Sequence, residues 1–348
     1  MRAFLLSLCV AVGGPTLAGR AEAPVPSPVK TIVFVGDVSL AGRRIPKDVR
    51  GDKNPLGAFR DVFDAADVAV ANLEGLLTHE RPRAYSQSRL DIGASPKWAP
   101  IFADAKINLV GLANNHTWDG GTSGLLEHRG HVTTTGVAVM GAAEADADAV
   151  APVRYGPAGS CVSIVPATIK SNRPRRKGAH AAYYRGSKGH GELLERVGEE
   201  AKHCLAIVYI HWGREAIHDA PKSVQTLAHR LVDAGARLVV GHHPHVFQGV
   251  EFYGGGAIAY SLGNFVFTNR TPAKRRTGVL TAEVTPGPQG QLRRLALHPS
   301  VISVRGFFPK RATAREAADL RERLTEYSAP WGTKVSLEDG LIVFRPGR

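Results

Sequence analysis

His242, His243 and His245 follow directly on the apolar run Arg237–Val240 and on Gly241, with Pro244 stiffening the link between the last two. An imidazole nitrogen is a good ligand for a borderline metal ion, and His243 and His245, two positions apart, can aim at one point when the segment is extended but curled. One His beside a strand is usually a hydrogen-bonded structural residue; it is the grouping that points to metal ligation. Other apolar runs also empty into polar residues. Gly36-Asp37 follows Thr31–Val35, Asn72-Leu73-Glu74 follows Val68–Ala71, Asn114-Asn115-His116 follows Ile107–Leu112, and His211-Trp212-Gly213 follows Cys204–Ile210. Taken singly each has a structural explanation, since Asp37 can cap a turn, Glu74 can pair with an Arg and Asn115 can brace a loop. Taken together, carboxylate, amide and imidazole donors without thiolate suit a divalent ion such as Mn, Fe or Zn rather than a structural Cys-type zinc.

The elements that must position these residues are legible in outline. The runs have the length and β-branching of buried strands, and a sixth, Cys161–Val165, joins them. Ser95-Pro96 reads as a capped helix start with proline at the first position, and a second helix runs from about Pro221 to Asp233 and stops at Gly235. Strand and helix alternate, which predicts an α/β sheet with its ligands at the carboxyl ends of the strands. After Glu251 the pattern changes to hairpins. Gly254-Gly255-Gly256 turns between Val250–Tyr253 and Ala257–Leu262, and strands follow around Val279–Val284 and Val301–Val304, so a second, partly antiparallel sheet is expected there. Arg315–Tyr327 reads as a surface helix. With no internal repeat, residues 31–348 are expected to form one domain.

Met1–Ala23 has a basic start at Arg2, an apolar run over Ala3–Val12 and small residues at Ala18, Ala21 and Ala23, the pattern of a cleaved secretory signal, followed by a Pro-rich linker over 24–30. The run is too short to span a bilayer, and no later segment approaches the ~20 apolar residues a span needs. The expected product is soluble and exported, periplasmic or extracellular; an uncleaved N-terminal membrane anchor is the other reading. Leu8 before Cys9 argues against lipidation. Cys161 and Cys204 each open an apolar run, so they form either a disulfide between neighbouring strands in an oxidising compartment or two buried thiols. Net charge over the 348 residues is +13, concentrated in Lys170, Arg173, Arg175, Arg176 and Lys177 and in Lys274, Arg275 and Arg276. Without interleaved aromatics or a recognised module this is not a nucleic-acid binder. In an exported chain such loops attract an anionic cell-surface polymer or lipid headgroups.

The ordered set Gly36-Asp37-Val38-Ser39-Leu40, Asn72-Leu73-Glu74-Gly75, Ala113-Asn114-Asn115-His116 with Asp119 and Gly121, His211-Trp212-Gly213-Arg214-Glu215, Gly241-His242-His243-Pro244-His245-Val246, and Tyr260-Ser261-Leu262-Gly263-Asn264-Phe265-Val266 resembles the bacterial CapA family of capsule and poly-γ-glutamate synthesis proteins over roughly 31–270. That family is similar to calcineurin-like metallophosphoesterases, which implies a four-layer αββα sandwich with mixed sheets and one or two divalent ions at the strand ends. The resemblance makes Asp37 and Glu74 bridging carboxylates, gives Asn115, His211 and His243 to one ion and His245 to the other, and casts His116 as the acid beside the leaving group. Asn264, Glu215 and Arg43 are candidates for substrate binding, while His242 is expected to point away as a supporting residue. Ser39 stands where the phosphoesterase pattern has a His, which takes a ligand from the His245 side. Two functions follow. One is a phosphoesterase-like hydrolase of cell-envelope polymer metabolism; the other is a non-catalytic subunit that guides an anionic polymer for a membrane synthesis complex.

Overall fold

A computed structural model describes residues 30–41, 54–79, 92–172 and 178–347. The expected signal segment, the Pro-rich linker, Arg43 and the Arg173–Lys177 part of the first basic cluster lie outside the described residues. Four parallel strands open the fold, β1 (Lys30–Val38), β2 (Val68–Leu73), β3 (Leu109–Gly111) and β4 (Ala138–Met140), side by side in chain order. The chain then builds a second sheet from β5 (Val153–Tyr155), β6 (Cys161–Thr168), β7 (Cys204–His211), β8 (Ala236–His242), β9 (Val250–Tyr253) and β10 (Gly256–Ala259), in the spatial order β9-β10-β8-β7-β6-β5. It returns to the first sheet with β11 (Asn264–Val266) parallel to the end of β1, β12 (Arg276–Thr285) antiparallel along β1, and then β13 (Gln291–Ile302), β14 (Lys334–Glu338) and β15 (Leu341–Arg345).

The six apolar runs are therefore divided three and three between two sheets. Nor do the residues after Glu251 form a sheet of their own: the β9–β10 hairpin extends the second sheet, and β12 and β13 extend the first. A strand buried on both faces reads as continuous apolar sequence whichever sheet it joins, so sequence could not assign the partners.

Alternation within those runs sets the layers. Ile32, Phe34, Val68, Val70 and Leu109 meet Val162, Ile164, Leu205, Ile207, Leu238 and Val240 between the sheets. The alternate residues Val33, Val35, Ala69 and Ala71 face outward against Phe63, Phe102, Leu125 and Val132, the last two from helix α1 (Gly121–Thr133). On the far side, Val165, Val208, Ile210 and Val239 pack against Leu193 and Val197 of α2 (Gly186–Ala201) and Leu227 and Leu231 of α3 (Lys222–Asp233). The order of layers is αββα.

Two local expectations change. Ser95 makes no side-chain capping bond, and Pro96 opens a 3-10 turn, Pro96–Trp98, ahead of a short helix over Pro100–Asp104. The last helix, α4 (Ala314–Ser328), is held at its start by a Thr313/Glu316 capping box and sends Leu320 and Leu324 into the core between the sheets, so it closes that core rather than lying on the surface. Cys161 and Cys204 are register partners at the starts of β6 and β7 and are joined by a disulfide.

Candidate functional site

β1 and β8 belong to different sheets and end beside the same segment, Tyr260–Asn264, which passes from one sheet to the other and against which a glycine of each strand packs closely. A Cβ on Gly36 would stand 2.2 Å from the Gly263 carbonyl oxygen, and one on Gly241 would stand 2.0 Å from that of Tyr260. Only a residue without a Cβ fits either position. The Asp37 amide donates to Gly263 O at 2.8 Å, which ties β1 to the segment leading into β11. Beyond Gly241 the chain curls through left-handed φ values of 98° at His243 and 59° at His245. Such conformations cost a residue with a side chain about 1–3 kcal/mol each and persist where the surroundings impose them. Here the curl lets His243 and His245 share one site.

Two overlapping groups of donors result. Glu74, His211 and His243 each offer a ligand atom within 4.8 Å of the others, and Asp37, Glu74 and His245 do the same. Glu74 is common to both. Its two carboxylate oxygens are buried and have no hydrogen-bond partner among the described residues, although Oε1 stands 3.6 Å from His245 Nε2 and 3.7 Å from His116 Nε2. Asn115 Oδ1 lies 2.8 Å from His211 Nε2, which is itself 3.1 Å from His243 Nδ1, so Asn115 adjoins the first group. Either group could hold a metal ion through mixed oxygen and nitrogen donors.

The electrostatics follow from burial and these contacts. Burial pushes the Glu74 carboxyl up to about 7, with Asp37 adding to the rise and His245 and His116 opposing it. Burial also disfavours the Asp37 carboxylate, but contacts from His242 and His245 outweigh it and hold that group well below the usual carboxylate range. Desolvation, reinforced by neighbouring imidazoles, keeps His243 neutral down to about 3 and His211 well below its ordinary value. Neutral imidazoles are the form that ligates. For His245 the Glu74 and Asp37 carboxylates overcome burial and raise it to about 9.

His116 stands at the edge of this cluster. Its Nδ1 lies 2.6 Å from Asp119 Oδ2 and 3.3 Å from Asn172 Nδ2, and its Nε2 faces Glu74. Burial works against the imidazolium, while the Asp119 contact and the Glu74 charge raise its pKa on balance.

The remaining candidates divide. Asn264, the register partner of Asp37, is fully buried, its Oδ1 2.9 Å from His245 Nδ1 and its Nδ2 donating to the carbonyls of His245 and Lys274, so it orients His245. Glu215 is exposed; its charge is felt at Glu74 and His245, but it makes no hydrogen bond to either. Arg43 is outside the described residues. His242 enters neither donor group and sits behind Asp37, its Nδ1 3.3 Å from Asp37 Oδ1 without hydrogen-bond alignment and its ring 4.4 Å from that of Tyr209, the place of a supporting residue. Ser39 is buried, and its amide donates to Val266 O at 2.8 Å.

Sequence reasoning gave no role to Asn72 or Asn172. Asn72 Nδ2 donates to Asp37 Oδ1 at 2.8 Å and lies 3.4 Å from His211 Nδ1, bracing a residue from each sheet. Its signal was available, as a carboxamide inside a wholly buried strand must find partners. Asn172 accepts from Asn115 Nδ2 at 3.3 Å and so links Asn115 to His116. It lies between Lys170 and Arg173 in the basic loop, and nothing in its spacing marked it.

Residues 31–269 match the family described as "Bacterial capsule synthesis protein PGA_cap". The chain is 26% identical over 338 residues to the "PGA biosynthesis protein CapA" of Bacillus subtilis, covering 94% of this chain and 86% of that one. It is 26% identical over 362 residues to a "Probable polyglutamine synthesis accessory protein" of Mycobacterium tuberculosis, covering 94% and 92%. Among solved structures, the TT1561 protein of Thermus thermophilus aligns with a TM-score of 0.41 at 12% identity, over 73% of this chain and 94% of that one.

Proposed function

The chain belongs to the bacterial capsule synthesis family PGA_cap, and from that membership we propose that it is a metal-dependent hydrolase of the phosphoesterase type, acting on an anionic polymer or phosphoester of the cell envelope. One observation carries the reading. Glu74 has both carboxylate oxygens buried and unpartnered at the point where two groups of donors overlap. An ionisable group is left this way at the cost of several kcal/mol unless something else satisfies it. A divalent cation does so.

The donor set fits Mn, Fe or Zn. Glu74, His211 and His243, with Asn115 beside them, would hold one ion, and Asp37, Glu74 and His245 a second. Asn264 Oδ1 at His245 Nδ1 fixes that ring's orientation, as a supporting acceptor commonly does for a ligating histidine. A divalent ion held there would supply Lewis-acid polarisation of the phosphoryl oxygen and lower the pKa of water at the site. His116 carries a proton on a ring that Asp119 holds in place through Nδ1, and delivers it from Nε2 to the leaving oxygen. Neighbouring Lys170, close enough to act electrostatically on His243, draws anionic substrate towards the opening.

A second reading rests on Ser39. With no imidazole at that position, the Asp37 side of the centre has one nitrogen donor among the described residues, His245, and a weakly metallated site would suit an accessory subunit that holds an anionic polymer; the M. tuberculosis relative is named a probable polyglutamine synthesis accessory protein. The test is turnover. Wild-type protein loaded in turn with Mn, Fe and Zn is assayed on phosphoesters and cell-envelope polymers beside His116→Ala, for which a loss of about 10²-fold is expected with metal content unchanged. Absence of turnover on the whole panel, with polymer production in the host unaffected by His116→Ala, overturns the hydrolase reading in favour of the accessory one. Export is part of the same proposal, supported by the Cys161–Cys204 disulfide, which suits an oxidising compartment; recovery of intact Met1 from a host cytosolic fraction overturns it.

A further inference from the structure

A second set of metal-type donors lies on the outer helical layer and shares no residue with the centre described above. Glu127 and His131 stand one turn apart on the same face of α1. His79 comes from the segment that follows the short strand Leu76–Leu77. Glu127 Oε1 accepts from the His79 amide at 3.0 Å and lies 3.2 Å from His131 Nε2, while Oε2 accepts from Thr78 Oγ1 at 3.0 Å. The His79 and His131 rings meet edge to face with centroids 5.3 Å apart. One ligand atom from each of the three residues lies within 4.8 Å of the other two.

We propose that His79, Glu127 and His131 form a peripheral site for a divalent cation of the Zn, Ni or Cu class. Ligand bonds of ~2.0–2.2 Å place tetrahedral donors roughly 3.3–3.6 Å apart, so the gap closes with rotamer changes of side chains that are partly or fully exposed. Two imidazoles and one carboxylate are the donors these ions take, and the carboxylate keeps lone pairs beyond those its hydrogen bonds use. Exposure leaves a path for the ion and room for water to complete the coordination. The consequence is mechanical. His79 lies five positions beyond Glu74, and α1 begins two positions beyond Asp119, so an ion here clamps the chain segment carrying Glu74 to the helix that follows His116 and Asp119. The Leu77 amide, donating to His128 Nδ1 at 2.9 Å, already fastens the same two elements.

A hydrogen-bonded trio would hold these side chains without metal, so the test counts ions. Metal-free full-length protein is titrated with Zn²⁺ by calorimetry and with Co²⁺ by visible absorption, comparing wild type, His79→Ala, His131→Ala, Glu74→Ala/His243→Ala, and the last combined with His131→Ala. Glu127 is left alone because it also holds Thr78 and the His79 backbone. The expected result is one equivalent fewer than wild type in each single variant, one tight equivalent retained in Glu74→Ala/His243→Ala, and its loss on adding His131→Ala. Should an alanine variant unfold, His131→Gln repeats the measurement with an amide beside Glu127. Stoichiometry in His79→Ala and His131→Ala equal to wild type overturns the proposal. Failure of the main centre gives a different pattern, with no ion lost between wild type and Glu74→Ala/His243→Ala.

Discussion

The backbone amide of His243 donates to Asp37 Oδ2 at 3.3 Å, a bond between residues 206 positions apart that joins the end of a strand in one sheet to the end of a strand in the other. The candidate centre is thus a seam: Asp37 and Glu74 come from the first sheet, His211, His243 and His245 from the second. Its geometry depends on how the strands are held at their carboxyl ends, where Gly36 and Gly241 both pack against the Tyr260–Asn264 segment that passes from the second sheet to the first.

Gly241→Ala tests the seam. Its Cβ would meet Tyr260 O at 2.0 Å and Trp212 Nε1 at 2.4 Å, and both are buried, so neither gives way cheaply. Overpacking of this kind costs typically 1–3 kcal/mol, and the variant is expected to lose at least about 2 kcal/mol in urea unfolding together with metal affinity. Wild-type stability in Gly241→Ala would mean that the strand ends have slack the structure does not show.

Glu74→Leu removes the unpartnered carboxylate. If Glu74 serves an ion, wild-type protein gains thermal stability on adding Mn or Fe, which lie outside the class proposed for the peripheral site, about 2.7 kcal/mol at a hundredfold excess over Kd. The leucine variant is expected to remain folded and lose most of that gain. An undiminished metal-induced rise in Tm in Glu74→Leu would place the ion elsewhere.

Part of the centre was legible because its chemistry sits where apolar runs stop: position marked the segments carrying Asp37, Glu74, Asn115, His211 and His243, and the family resemblance singled out those residues within them. The partition of strands between sheets was not, since Val33 and Ile32 look alike in sequence while facing different cores. The segment Tyr260–Val266 was conspicuous without an explanation. Its roles are tertiary: the Tyr260 hydroxyl donates to Glu251 at 2.6 Å, Tyr260 O accepts from Trp212 Nε1 at 2.9 Å, Gly263 O takes the Asp37 amide, and Asn264 braces His245. No local pattern encodes partners that distant. The disulfide was open for the same reason, as two cysteines opening apolar runs pair only if those runs become neighbours in register.

Cys161→Ser/Cys204→Ser is expected to destabilise the fold by about 2–4 kcal/mol, because the bond closes a chain separation of 43 residues and restricts the unfolded state. Reductant should lower the urea midpoint of wild type by a similar amount and leave the double variant unmoved. Equal midpoints for wild type with and without reductant would show that the pair contributes nothing.

Glu200 carries a pH dependence away from the centre. Burial disfavours its charge, but the Arg154 guanidinium at 2.6 and 2.7 Å and Ser163 Oγ at 2.7 Å outweigh burial and hold the carboxyl below its usual range. A carboxyl with a lowered folded pKa contributes stability that is complete above its unfolded value of 4.5 and is lost as pH falls through the folded value. Unfolding free energy should therefore drop below about pH 4.5, and Glu200→Gln should flatten part of that slope while lowering stability at neutral pH. A slope unchanged by Glu200→Gln would assign the acid sensitivity to other carboxylates.

Asp119 decides whether His116 is an acid or only a neighbour of the centre. Its Oδ2, 2.6 Å from His116 Nδ1, favours the imidazolium and is the largest influence opposing burial. If His116 gives its proton to the leaving oxygen, rate falls as pH rises through the pKa of that imidazolium, and removing the charge with Asp119→Asn must move this alkaline limb to lower pH. Turnover near neutral pH should fall about 10-fold or more, with metal content unchanged. A residue that merely fixed the loop would reduce the rate evenly across pH, since packing does not alter which protonation state reacts. A drop in rate with the alkaline limb in its wild-type position would therefore leave Asp119 a structural brace and remove His116 from the proton transfer.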